Sequence, residues 1–270
     1  MRAVTGESSN AAEPWRERVL RPFKPVLSQV VGAAIERTGS DATEATSRRS
    51  CLVLAPHPDD ETLGCGTTIM RRVDASTPVH VVVVTDGGTW PPGRDRAQNI
   101  ATRDAELRVA CSLLSLPAES VTHLDFPEQE LHLAGDGLVD AVADAVRAWK
   151  PEEVLTTSEA DPHPDHAALG VATRRALAGS GLRLLAYPVW QWDHPRSWVR
   201  TWQASSRPEL VRTTGYVERK RAAFAVYGSQ LSSDAGGELT GGYGLGPRFL
   251  SRFLGAHEMF FPVPHALSAR

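Results

Sequence analysis

Short apolar runs alternate with helical patterns along the middle of the chain, and this alternation constrains the fold more than any other feature. The apolar runs lie at residues 51–55, 79–85, 121–126, 154–157 and 182–189, and the helical patterns lie at about 61–74, 97–115, 136–149 and 165–179. Runs that are apolar throughout are typical of strands buried on both faces of a parallel sheet. We therefore expect an α/β fold with a doubly wound, Rossmann-like, mostly parallel sheet in three α/β/α layers.

A basic amphipathic pattern precedes this region. Residues 14–37 place apolar side chains at steps of three and four with arginines between them, which predicts a helix kinked by Pro22 and Pro25. Such a segment docks more often on its own domain than on an anionic membrane surface. We expect docking on the domain here.

The chain is expected to comprise two units. Residues 38–50 are small and polar and predict a linker, so residues 1–50 form the N-terminal helix and linker, and residues 51–270 form one domain. The C-terminal part of that domain is expected to be irregular. Residues 190–202 hold four of the seven tryptophans, which pack in a core more often than they stack on a sugar. The glycine-rich stretch 235–247 lacks the spacing of a phosphate loop and predicts a mobile surface loop.

The composition excludes several classes of protein. The net charge of −3 over 270 residues argues against a protein built to wrap nucleic acid. Three separated cysteines form no CxxC pair, so they predict neither a disulfide framework nor a thiolate zinc site, and they fit a reducing cytoplasm. The apolar runs are far shorter than the roughly 20 residues that span a bilayer. We therefore expect a cytoplasmic protein with no transmembrane segment.

The sequence PHPDDE at residues 56–61 places an imidazole and three carboxylates directly after the first apolar run. In a doubly wound sheet, ligands bind at the carboxyl ends of the strands. Carboxylates this close repel one another unless a cation neutralises them. His57 and Asp60 carry donors that zinc commonly takes, so this loop predicts a metal site.

A second cluster, DPHPDH at residues 161–166, follows the fourth apolar run and precedes a helical pattern. A catalytic zinc takes three protein ligands and keeps one position for water, so this cluster is expected to supply the third ligand. His163 and His166 are three residues apart. One of them can bind the metal while the other faces the substrate.

The pair PHPDDE (residues 56–61) and HPDH (residues 163–166), on an α/β chain of this size, resembles the PIG-L/LmbE-like metal-dependent N-deacetylases. These enzymes remove acetyl from N-acetylglucosaminyl and related groups. The resemblance covers roughly residues 50–190, and its first motif is highly specific. It implies a zinc hydrolase with a small aminosugar conjugate as its substrate.

The resemblance also implies a role for each motif residue. His57, Asp60 and His166 would bind one zinc ion per chain, with iron as the alternative metal. Asp59 would act as general base on the water that the metal activates. His163, if protonated, would stabilise the oxyanion that develops at the transition state.

Features outside the two motifs have weaker assignments. The resemblance implies that Arg103 and Glu128 bind substrate, although Glu128 stands where aspartate is more usual. An intrahelical ion pair with Glu106 is an equal alternative for Arg103. Glu61 is expected to serve the start of a helix rather than catalysis. Residues 220–231 resemble the closing helix of the family and are expected to form the outer wall of the site.

Removal of acetyl from an N-acetylated aminosugar or its conjugate is therefore the expected function. A metal-dependent phosphoesterase stays open, because similar clusters hold paired metals, but two metals need more than the three assigned ligands. A noncatalytic metal-stabilised binding module also stays open, although such a module needs no unliganded carboxylate such as Asp59. The sequence leaves open the N-acetylated substrate, the physiological metal, the oligomeric state, and the roles of the basic helix and of residues 190–202.

Overall fold

A computed structural model describes residues 24–231 and 245–264, which contain eight strands and nine helices. The strands are β1 Ser40–Asp41, β2 Cys51–Ala55, β3 Val79–Thr85, β4 Val121–Phe126, β5 Glu153–Thr157, β6 Arg183–Tyr187, β7 Glu209–Arg212 and β8 His257–Pro262. The helices are α1 Lys24–Glu36, α2 Thr43–Ser47, α3 Asp60–Asp74, α4 Arg96–Leu113, α5 Asp136–Trp149, α6 Pro164–Ala176, α7 Pro195–Ala204, α8 Val217–Val226 and α9 Pro247–Leu250.

The strands form one sheet in the order β1-β7-β8-β6-β5-β2-β3-β4. Within the described residues, β8 alone runs against its neighbours, and the other pairs are parallel. From β2 the chain proceeds to β3 and β4 on one side, and it then returns to β5 and β6 on the other. The expected doubly wound, mostly parallel sheet is confirmed.

The two faces of β2 show why the sheet lies between two layers of helices. Leu52 and Leu54 join the core formed with α5 and α6, whereas Val53 and Ala55 join the core formed with α3, α4 and α8. All four side chains are fully buried. Because successive residues of a strand point to opposite faces, a strand buried on both sides is apolar throughout.

The five expected strands and four expected helices of the middle region are present, with shifts of a few residues at their ends. The C-terminal part differs from the irregular structure that we expected, since β7 and β8 extend the sheet. Local periodicity does not indicate these strands. Strand β7 is short, and β8 pairs antiparallel with two strands, β6 and β7, that lie far from it along the chain. Residues 38–50, expected as a linker, contain β1 and α2, and β1 pairs with β7 at the sheet edge. The division of the chain at residue 50 stays a prediction.

Helix α1 docks on the domain through one face. Ser28, Gly32 and Ile35 are buried there, and the Ser28 hydroxyl donates to the Gln191 carbonyl oxygen over 2.9 Å. The expected segment begins at residue 14, and its part before residue 24 lies outside the described residues, as does most of the glycine-rich stretch. In the ranges that the structure describes, each helix is too short or too polar to cross a bilayer.

Candidate metal centre and active site

The two sequence motifs meet at the centre of the sheet. His57 follows β2, and His166 lies in the first turn of α6, which follows β5. Strands β2 and β5 are neighbours, and the chain leaves them toward opposite edges of the sheet. This is the switch point where a doubly wound fold opens a crevice for ligands.

Three donor atoms form a compact group, which we call the ligand triangle: His57 Nδ1, Asp60 Oδ2 and His166 Nε2. The distances are 3.2 Å from His57 to Asp60, 3.2 Å from His57 to His166, and 3.3 Å from Asp60 to His166. Ligands about 2.0–2.1 Å from a tetrahedral zinc ion are about 3.3–3.4 Å apart. All three side chains are buried. The triangle therefore fits zinc in both donor type and spacing.

Carboxylates outside the triangle orient its two imidazoles. Asp165 Oδ2 lies 3.0 Å from His57 Nε2, and its carboxylate also accepts the backbone N–H groups of Gln129 and Leu131. Since Nε2 of His57 faces a carboxylate, it carries the proton and leaves Nδ1 as the ligand atom. Asp161 Oδ1 lies 3.7 Å from His166 Nδ1 on the far side of the other ring.

In the absence of a metal, the two imidazoles of the triangle are protonated and the Asp60 carboxylate is ionised. Burial lowers the pKa of His57, but hydrogen bonds to Asp165 and Asp60 raise it to about 9. Burial likewise opposes protonation of His166, but Asp60 and Asp161 raise its pKa to about 10. Although burial acts in the opposite direction, His166 and His57 hold the pKa of Asp60 far below its usual range. A metal would therefore replace two protons.

Asp59 lies beside the triangle without joining it. It precedes the first residue of α3 with a φ of 136°, a conformation rare for residues other than glycine. Arg103 Nη2 is 3.5 Å from its Oδ2 atom, and Glu61 Oε2 accepts its backbone N–H over 3.0 Å. Burial and the neighbouring Asp60 carboxylate raise the pKa of Asp59 well above its usual range.

His163, the first residue of the HPDH motif, lies beside the triangle. Its Nδ1 accepts the backbone N–H of Asp165 over 3.3 Å, so the proton of the neutral ring lies on Nε2. Burial and the nearby His166 and His57 lower the pKa of His163 to about 3. The ligand atoms of the three histidines lie within 4.8 Å of one another, so His163 is an alternative ligand to Asp60. The closer spacing of the triangle favours Asp60.

A cavity opens over the triangle. Six of the seven predicted site residues line it, namely His57, Asp59, Asp60, Arg103, Glu128 and His163. The seventh, His166, is fully buried beside His57 and Asp60.

Arg103 and Glu128 contact each other in the wall of this cavity. Arg103 Nη1 donates to Glu128 Oε1 over 2.9 Å, and Nη2 donates to the Pro58 carbonyl oxygen over 2.9 Å. Burial opposes ionisation of Glu128, but Arg103 lowers its pKa overall. Glu106, the alternative partner of Arg103, instead accepts the backbone N–H and the hydroxyl of Ser229. The substrate-binding roles of Arg103 and Glu128 stay predictions.

Gln230, Trp90 and Trp190 are among the cavity residues that were not assigned individually to the site from the sequence. Gln230 lies in the segment 220–231 expected as the outer wall, while Trp90 and Trp190 follow the carboxyl ends of β3 and β6. The Trp190 ring lies 6.3 Å from the His163 ring and stacks on Phe249 at 4.8 Å. The rule that ligands bind at these strand ends was the available signal for both tryptophans.

Fold and site define an α/β protein of the metal-dependent hydrolase class, with two histidines, an aspartate and a free carboxylate at the switch point. Residues 52–177 match the family model described as PIG-L: GlcNAc-PI de-N-acetylase. The chain is 30% identical over 132 residues to the uncharacterized deacetylase YaiS of Escherichia coli (strain K12), a match that covers 47% of this chain and 67% of that protein. The chain belongs to the PIG-L family, and the resemblance seen in its motifs is confirmed.

Two further comparisons agree with this membership. The chain is 29% identical over 214 residues to a 1D-myo-inositol 2-acetamido-2-deoxy-alpha-D-glucopyranoside deacetylase of Tsukamurella paurometabola, over 66% of this chain and 67% of that one. The structure matches N,N'-diacetylchitobiose deacetylase from Pyrococcus horikoshii with a TM-score of 0.64, 20% identity and 95% coverage of both chains. This likeness shows a shared fold.

Proposed function

We propose that this protein is a zinc-dependent hydrolase that removes the acetyl group from an N-acetylated aminosugar or its conjugate. The observation that carries the proposal is the ligand triangle of His57, Asp60 and His166 with the unliganded carboxylate of Asp59 beside it. The named relatives are deacetylases, one of them of an acetamido-deoxy-glucopyranoside, and this supports the reaction and the substrate class.

The donor set supports one metal ion per chain. Two imidazole nitrogens and one carboxylate oxygen suit zinc, and ferrous iron shares this preference. When bound, zinc would supply the positive charge that lowers the pKa of a water molecule and polarises the amide carbonyl. The group of metal-ligating side chains found close together in the described ranges is His57, His163 and His166, which shares two residues with the ligand triangle, and a single cluster favours this chemistry over a paired-metal phosphoesterase.

Asp59 is the proton carrier of the proposed reaction. Its carboxylate takes a proton from water as the oxygen attacks the amide carbon, and it returns the proton to the amine nitrogen as the C–N bond breaks. The products are acetate and the free amine. Burial and Asp60 raise the pKa of Asp59 overall, and the guanidinium of Arg103 opposes this rise and so favours the ionised form that accepts the proton.

His163 stabilises the charge that develops on the carbonyl oxygen. With Nδ1 occupied by the Asp165 N–H, a neutral His163 ring presents its Nε2–H as a donor. The sequence interpretation assigned this role to His163 if it is protonated, and we propose that the neutral ring performs it as a donor. Arg103 and Glu128 hold polar groups of the substrate, and the rings of Trp90 and Trp190 offer apolar surface to a sugar face.

The proposal is tested by measuring acetate release from a broad panel of N-acetylhexosamines and their conjugates. Activity is expected to disappear on chelation and to return with zinc, and elemental analysis is expected to find one ion per chain. Metal-loaded protein that releases no acetate from the whole panel would contradict the proposal. Two tightly bound ions per chain would instead favour the phosphoesterase.

A further inference from the structure

The face of α1 that points away from the domain is apolar. Val26, Leu27 and Val30 are 53%, 50% and 59% exposed, and Ala33 and Ala34 are exposed beside them. The opposite face docks on the domain, as described above. A surface helix normally presents polar side chains to water, so this second apolar face is unusual.

Helix α7, the neighbour of α1, also exposes apolar side chains. It packs against α1 and exposes Val199 at 37% and Trp202 at 43%. The α1–α7 face consists of the exposed apolar residues of both helices, which are Val26, Leu27, Val30, Val199 and Trp202. These five are half of the ten large apolar side chains found exposed in the described ranges, so exposed apolar side chains are concentrated on these two packed helices.

Positive charge accompanies the apolar side chains. Arg196 and Arg200 are exposed on α7, and Arg37 is exposed directly after α1. The two helices contain one acidic residue, Glu36, whose Oε1 lies 2.7 Å from His257 Nδ1. The whole chain has a net charge of −3, so these two helices are more basic than the chain as a whole.

We propose that the α1–α7 face binds the surface of an anionic lipid bilayer. Aliphatic side chains would enter the boundary between headgroups and acyl chains, Trp202 would lie at headgroup level, and the arginines would contact lipid phosphates. The helices would lie in the interface without crossing it.

The charges favour a bilayer over a second copy of the chain. A symmetric contact through this face would place Arg196 and Arg200 of both copies in one interface, which gathers four positive charges there. Like charges across an interface are unfavourable, whereas an anionic surface neutralises them.

One segment connects helix α1 with the candidate active site. The turn Trp190–Asp193 packs against α1, and its first residue lines the cavity above the ligand triangle. The test of membrane binding is independent of the proposed deacetylation, because it measures the fraction of protein bound to vesicles rather than turnover.

Sedimentation of the full chain with lipid vesicles tests the proposal. We expect binding to phosphatidylcholine vesicles that contain phosphatidylglycerol, little binding to phosphatidylcholine alone, and weaker binding as salt rises. Val30→Glu should lower the affinity about tenfold or more, because it removes an apolar side chain that would enter the bilayer and adds a negative charge. Leu133→Glu is the matched control, because Leu133 is 70% exposed and does not belong to α1 or α7. The affinity of this variant for vesicles should not change.

A second pair of variants tests the charges. Arg200→Gln should weaken binding to anionic vesicles about fivefold, the loss expected for one arginine near the surface. Arg147→Gln, at an exposed position of α5, should leave the affinity for anionic vesicles unchanged. Circular dichroism checks that every variant is folded.

Several results would overturn the proposal. Equal binding by Val30→Glu and the unmodified chain would exclude the α1–α7 face. Failure to bind anionic vesicles would exclude a bilayer as the occupant. A dimer that Val30→Glu dissociates, without vesicle binding, would assign the face to a second copy of the chain.

Discussion

The hydroxyl of Tyr227 donates a hydrogen bond to the buried carboxylate of Glu61, and this contact links the end of α8 to the start of α3. The other oxygen of Glu61 accepts the backbone N–H of Asp59. Asp59 has a positive φ. This conformation is unfavourable in free energy for a residue that carries a side chain. Tyr227 and Glu61 together hold Asp59 in the conformation that places it beside the ligand triangle.

Replacing Tyr227 with phenylalanine should reduce both stability and turnover. The variant removes one donor from a buried carboxylate, which should lower the free energy of unfolding by about 1–3 kcal/mol. We expect kcat to fall more than KM changes, because Asp59 loses its support. Urea unfolding and acetate release measure the two effects.

Tyr216→Phe is the control for this variant. The Tyr216 hydroxyl contacts Asp74 at the exposed surface, so its removal should change the free energy of unfolding by less than about 1 kcal/mol and leave kcat unchanged. Equal effects of the two variants would show that the buried contact has no special role.

Asp59→Asn should separate metal binding from turnover. The amide keeps the shape of the side chain but cannot accept a proton, so turnover should fall at least about a hundredfold. The ligand triangle is intact in this variant, and elemental analysis should find the metal retained. Unchanged turnover would remove Asp59 from the mechanism.

Asp60 and His163 should differ in their effect on the metal. Asp60→Ala removes one corner of the ligand triangle, so zinc affinity measured by competition with a chelating dye should fall steeply. His163→Ala should keep zinc affinity while it lowers kcat. The reverse result would assign the metal to the three histidines.

Asp165 should support the metal through His57. Asp165→Asn removes the carboxylate that faces His57 Nε2, and we expect zinc affinity to fall about 10- to 100-fold. The same dye competition measures this loss. Asp136→Asn, at an exposed ion pair with Arg175, is the control and should not alter zinc affinity.

His80 should make the protein less stable in mild acid. Burial lowers the pKa of His80 to about 4, below its ordinary value of 6.5. The unfolded chain therefore binds a proton at this residue between pH 6.5 and 4 and the folded chain does not, so stability falls as the pH falls through that window.

His80→Phe removes this titration. Its free energy of unfolding should fall less between pH 7 and pH 4.5 than that of the unmodified chain, as measured by urea unfolding at both values. The absolute stability of the variant also changes, because Thr122 loses a hydrogen-bond partner, so the test is the difference between the two pH values. An identical difference in the two proteins would show that His80 does not contribute.

The middle of the fold and the motif residues could be predicted from the sequence because burial leaves a local pattern. Strands β2 and β3 are buried on both faces, which leaves a continuous apolar run, and their order with helices specifies a parallel sheet. The residues of both motifs follow such runs directly. Their meeting at one cavity therefore follows from the topology.

Other features depend on contacts that no local pattern encodes. Tyr227 and Glu61 are 166 positions apart, and nothing near either residue indicates the other. Strand β8 enters the sheet antiparallel between β6 and β7, which requires knowledge of the whole topology. The periodicity of α1 indicated one apolar face for docking, and it did not reveal that a second apolar face would stay exposed.

The pairing of β2 with β5 also links metal binding to the completion of folding. His57 and His166 are 109 positions apart, and their donors come together only when the chain between them has formed β3 and β4 and returned to the centre of the sheet. Closing so long a loop is slow, and its entropic cost must be met before the contacts it allows can form. Zinc uptake should therefore follow assembly of the sheet, and a chain that holds both motifs but mispairs its central strands should not acquire the ion.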